Sequence, residues 1–186
     1  MKLLVTSVLA LVFVPSAFAH AELSPPVAKT KTLQLFTLAV PTEKENATTT
    51  KIELTPPQGF GIDSFVPAQG WTKDVQSSGS GEEAVVTRVT WSGGKTPTGE
   101  DSVFQFLASP SSAKTYAFTV RQTYSDGSVV DWSGPESSDT PAPRVDAVSS
   151  LGGGGSSTLS IVAIVLAGAA LAVALVGLLG AKRSLA

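Results

Sequence analysis

Apolar and polar residues alternate through the middle of this chain, and the alternation predicts strands. Leu33, Leu35, Leu38 and Val40 predict a first strand, with a bulge near Phe36-Thr37 where the spacing slips. Ile52 and Leu54 predict a second, ended by Pro56-Pro57. Val85, Val89 and Trp91, with Thr87, Arg88 and Thr90 between them, predict a long one, and Phe104 with Phe106 another. Tyr116, Phe118, Val120, Gln122 and Tyr124 keep a strict period of two, and Val129 to Trp132 closes the set. Ser125-Asp126-Gly127 reads as the hairpin turn between those last two, and Val66 to Trp71 as a turn leading into a strand. Nothing in this stretch repeats at the helical period. Short strands separated by Gly- and Pro-containing turns predict an all-β sandwich.

Two apolar runs lie outside the alternation. Met1-Lys2, the run from Leu3 to about Val14 and the small-x-small end Ala17-Phe18-Ala19 read as an export signal over 1–19. Cleavage there would make His20 the new N-terminus. At the other end, Leu159 to Gly180 carries no charge and spans about 22 residues, enough at ~1.5 Å each for a ~30 Å hydrocarbon core. A single transmembrane helix is expected over 158–181. Lys182 and Arg183 in the tail 182–186 are expected to stay cytoplasmic, which puts the globular part outside the cell membrane. Between domain and span, the Pro-, Ser- and Gly-rich stretch 136–157 reads as a flexible linker, so the domain is expected over 20–135.

Composition removes several classes of function. Setting aside Lys2, Lys182 and Arg183, ten Lys and Arg face fifteen Asp and Glu, and no basic stripe exists, which argues against nucleic acid. There is no cysteine, and Met1 is the sole methionine, so thiolate and thioether metal sites are excluded. With one histidine and no GxSxG or SxxK arrangement, no catalytic signature is present. The glycines of 152–155 lie in the linker, not between a strand and a helix. The chain does not read as an enzyme.

What remains is His20 itself. A histidine at a free N-terminus offers its α-amine and imidazole Nδ1 to one metal ion, closing a six-membered chelate ring that an internal histidine cannot form. Two such nitrogens suit Cu(II), which stands at the top of the divalent series and takes a tetragonal arrangement.

Several segments resemble the YcnI-like copper-binding proteins of bacteria. They are His20-Ala21-Glu22-Leu23-Ser24-Pro25, Val40-Pro41-Thr42-Glu43-Lys44, Val66-Pro67 with Gly70-Trp71, Val89 to Gly94, and Gln122 to Trp132. The resemblance runs from His20 to Trp132, and a C-terminal anchor is usual in that family. It implies an immunoglobulin-like or fibronectin-like sandwich that binds one Cu(II) through a single-histidine brace. His20 would supply two nitrogens, a carboxylate a further donor, and Trp132 would lie beside the metal. A membrane copper transporter is the implied partner. The chain departs from the family at the carboxylate: where the family has Gly-x-Phe-x-Glu-Phe, the segment Gly99 to Phe104 puts Val103 at the acidic place. The ligand is then expected from Glu100 or Asp101, with Glu22 or water as the rivals. A metal-free adhesion or scaffold module would use the same fold. A copper monooxygenase would need a second histidine, which the chain lacks.

Overall fold

The computed structural model describes residues 20–152 and Ala167. The export signal read over 1–19, the last part of the linker, and the span and tail read over 158–186 lie, Ala167 apart, outside the described residues. Twelve strands follow one another: β1 (Glu22–Ser24), β2 (Val27–Lys29), β3 (Gln34–Pro41), β4 (Thr49–Thr55), β5 (Phe60–Phe65), β6 (Thr72–Ser78), β7 (Val85–Thr96), β8 (Asp101–Pro110), β9 (Thr115–Ala117), β10 (Thr119–Tyr124), β11 (Val129–Trp132) and β12 (Arg144–Val148). They form an antiparallel sheet β1-β3-β8-β5, a second antiparallel sheet β11-β10-β4-β7-β6, and a small sheet β2-β12-β9. In the small sheet β12 runs parallel to β2 and antiparallel to β9.

The period of two decides which side chains meet. Phe36, Leu38 and Val40 of β3 and Phe104 and Phe106 of β8 point inward from the first sheet. Ile52, Leu54, Val89, Trp91, Val120 and Trp132 are the buried counterparts on the second. Each such side chain contributes about 1.5–3 kcal/mol by leaving water. Trp91 stacks on Phe104 with ring centroids 4.3 Å apart. The small sheet closes one end of the same core: Phe60 meets Phe118 and Tyr116 edge-on at 4.7 and 5.4 Å.

Gly93 and Gly94 of β7 are explained by local demands. Gly93 takes φ +85° where the β4–β7 register shifts, a bulge that a side chain would strain. A Cβ on Gly94 would sit 2.1 Å from Trp71 Cζ2, so the indole can lie flat there only over bare backbone.

The structure corrects several expectations. There is no bulge near Phe36-Thr37: β3 pairs with β8 without a break from Gln34 to Pro41. Leu33 and Leu35 are exposed, and the inward series is Phe36, Leu38 and Val40. The run from Tyr116 to Tyr124 is not one strand, because it changes sheets at Phe118, whose N–H donates to the Pro143 carbonyl at 2.8 Å. The domain does not end at 135. Residues 144–148, read as linker, form β12, with Val145 and Ala147 in the core, and the compact unit reaches Ser149.

Candidate metal centre

His20 lies two residues before the first residue of β1, whose placement is fixed twice over. Its backbone pairs with β3, with Glu22 opposite Ala39 and Ser24 opposite Thr37. Ala21 and Leu23 are buried in the core, so Glu22 and Ser24 must face out. The same alternation, carried one step back, sets exposed His20 on the face of Glu22. A short edge strand thus delivers the histidine to a defined place.

That place is one wall of a cavity of about 370 Å³. His20, Glu22 and Ser24 line one side, and Glu136, Pro141 and Arg144 line the other. The second wall is a loop that closes on itself. Gly134 N–H donates to the Thr140 carbonyl at 3.0 Å and Ala142 N–H to the Gly134 carbonyl at 2.9 Å. Ser138 bonds the Pro135 carbonyl through both its N–H (3.0 Å) and its hydroxyl (2.7 Å). Arg144 then begins β12 opposite Ala117, with Nη1 4.0 Å from Glu136 Oε2. The cavity is therefore built from the beginning and the end of the described domain.

The residues singled out from sequence are divided by the fold. Glu100 and Asp101 sit where β3 and β8 end together: the Glu100 carbonyl accepts from Thr42 N–H at 3.0 Å, and Asp101 lies opposite Pro41. Neither lines the His20 cavity. Val103 is opposite Ala39, which is itself opposite Glu22, so the family's acidic position shares a row with Glu22 across three strands. At strand spacing those two are about 10 Å apart.

Trp132 is interior, 1% exposed, and does not line the cavity either. Its indole N–H donates to Gln122 Oε1 at 2.9 Å. Gln122 Nε2 donates in turn to the Pro41 carbonyl at 2.8 Å and to Thr49 Oγ1 at 2.7 Å, and the Thr49 and Thr42 hydroxyls bond at 2.7 Å. The β1–β3 register, extended by two residues, sets His20 opposite Pro41. Trp132, Gln122 and Pro41 are thus joined by hydrogen bonds at the end of β3 on which β1 is built. Glu136 was missed from sequence because it falls in a stretch whose composition reads as tether.

The donor set can be tested against copper. Among the described residues, no three His, Asp, Glu or Cys side chains gather closely enough to hold a metal ion by themselves. An ion in this cavity would need a donor beyond the side chains, and the cleavage expected after Ala19 would supply one by freeing the α-amine of His20. Amine, imidazole and carboxylate together fit Cu(II).

The described domain is similar to known proteins over nearly its whole length. The family described as a domain of unknown function, DUF1775, matches residues 20–149, which starts at His20 and takes in β12. The chain is 30% identical over 192 residues to the copper-binding protein CutI of Bacillus subtilis (strain 168), covering 94% of this chain and 92% of that one. The crystal structure of an uncharacterized protein from Nocardia farcinica, described as an immunoglobulin-like fold, superposes with a TM-score of 0.60 at 28% identity. That likeness covers 69% of this chain and 98% of the other. The sandwich is immunoglobulin-like.

Proposed function

The chain belongs to the DUF1775 family, and from that premise we propose that it is a membrane-anchored, extracytoplasmic protein that binds Cu(II) for homeostasis or uptake. The observation that carries this reading is His20, held by β1 at the wall of a cavity that Glu22 and Glu136 also line. The copper-binding relative at 30% identity supports the choice of metal. Copper is cargo here, and the protein is a binder, not an enzyme. The His20 amine and imidazole Nδ1 form the brace, and a carboxylate adds charge neutralisation; Glu22 stands beside the brace, while Glu100 and Asp101 remain the choices from sequence. Both nitrogens must shed protons to bind, so affinity falls as pH drops. In this reading the run 158–181 anchors the chain, and its partner is a membrane copper transporter.

The brace depends on a free amine, and that is its test. Copper titration of the mature chain should show one Cu(II) per molecule, with binding lost in His20→Ala. A chain that retains Ala19 has an amide where the brace needs an amine. If it bound as tightly as the mature chain, the brace reading would fail. If the mature chain bound no copper, a metal-free surface module would replace it.

A further inference from the structure

We propose that Glu136 is the carboxylate that completes the copper site, an assignment that rests on the copper reading above. Three observations carry it. Glu136 lines the same cavity as His20, from the segment before β12. The loop that carries it is tied at its base by the reciprocal Gly134–Thr140 and Gly134–Ala142 bonds and inside by Ser138. Its carboxylate is nevertheless uncommitted: the side chain is 89% exposed and its nearest cation, Arg144 Nη1, stands 4.0 Å away, too far for a hydrogen bond.

The rival acids are placed differently. Glu22 is two residues from His20 on one face of one strand, about 7 Å along it, so it approaches from the same side as the nitrogens. Glu136 comes from a different segment of the chain, so with His20 it would offer an ion donors from two separate parts of the cavity lining. Glu100 and Asp101 do not line the cavity, although Asp101 pairs with Pro41, opposite which the extended β1–β3 register also sets His20. Val103 has no donor atom. A carboxylate from this segment also compensates for that departure from the family pattern, with the acid moved from β8 to the loop before β12.

This assignment carries a physical consequence. Copper would bridge the start of the domain to the loop 134–142, so loading should slow amide exchange in that loop as well as around His20. A role confined to Glu22, Glu100 or Asp101 would leave the loop's exchange unchanged.

The test uses the full mature chain with Cu(II) as the probe, in titrations and in hydrogen exchange with and without the metal. Glu136→Gln should weaken binding on the order of 10–100-fold, taking losses from outer ligands as a guide. It should also abolish the copper-dependent protection of 134–142. Glu22→Gln, Glu100→Gln and Asp101→Asn should keep that protection. Thermal unfolding of copper-free Glu136→Gln should match the parent, since the side chain is exposed. If Glu136→Gln binds like the parent while His20→Ala does not bind, Glu136 is overturned and the brace stands. If the parent itself fails to bind copper, both are overturned.

Discussion

Trp91 and Trp132 stand in the same five-stranded sheet, each 1% exposed, and different forces hold them. Trp91 lies in an aromatic wall. It stacks on Phe104 at 4.3 Å, Phe65 meets it edge-on at 6.1 Å, and Trp71 meets Phe104 edge-on at 5.0 Å. These contacts are broad and weakly directional, worth about 0.5–1.5 kcal/mol per pair beyond the area buried. Trp132 is fixed by one hydrogen bond to Gln122, and Gln122 by two more to Pro41 and Thr49. In a low-dielectric interior such bonds are directional and costly to leave half made. The aromatic wall sets how much the sandwich weighs against unfolding. The polar chain sets where the end of β3 lies against β10 and β4, and β1 with His20 is built on β3.

The largest effect should come from breaking the wall. Trp91→Ala removes a large buried side chain between two rings that cannot close over the gap, and should cost about 3–5 kcal/mol in denaturant unfolding. A loss below about 1 kcal/mol would mean that Trp71 and Phe65 collapse into the space and that the wall is more fluid than its geometry implies.

The polar side should respond less, and with a different signature. Gln122→Leu leaves the Trp132 N–H without its acceptor in a site with no exposed surface, at about 1–3 kcal/mol. Trp132→Phe leaves Gln122 Oε1 without its donor, at a similar cost. Removing both partners together leaves neither orphaned, so the double variant should be clearly less destabilised than the sum of the two single losses. Strict additivity in that cycle would show that the bond specifies nothing and that Trp132, like Trp91, is held by packing.

The contrast also explains what could be read from the sequence. Inward alternation at Ile52-Leu54, Phe104-Phe106 and Tyr116 to Tyr124 was legible because burial on one face imposes a period of two. Leu33 and Leu35 misled because they are apolar residues on an outer face, where nothing requires them to be polar. β6 was announced only by the turn before it, because Thr72 to Ser78 is exposed throughout and is held by its backbone ladder to β7. β12 was hidden by its surroundings, five residues behind a Pro- and Ser-rich stretch, and only its pairing with β2 and β9 makes it a strand. Of the candidate site, His20 was legible from the signal pattern and the chelate chemistry. Glu136 was not, because its place in the lining of the His20 cavity depends on β2 and β12 lying side by side.

The smallest effect should appear where the polar end reaches the surface. Asp126 pairs with Lys44 in the β10–β11 turn, and its Oδ1 accepts from Ser128 N–H at 3.0 Å and from the Ser128 hydroxyl at 2.7 Å. Lys44 Nζ also donates to Ser128 Oγ at 2.7 Å. The Lys44 bond first, then those of Ser128, hold the Asp126 carboxyl well below the usual carboxylate range. A carboxyl depressed in the folded state keeps its stabilising charge above the unfolded value, ~3.9, and loses that contribution as pH falls toward the folded value. Asp126→Asn retains the Oδ1 acceptor and removes only the charge. The difference in stability between parent and variant should therefore be small and constant at neutral pH, shrink below about pH 5, and shrink also in high salt, because the pair is exposed. The cost of Gln122→Leu, which involves no titrating group, should keep its size over the same range. If the Asp126→Asn difference stayed constant into strong acid, the turn would be held by the Ser128 bonds alone, and the surface would share the charge-independent character of the buried chain beneath it.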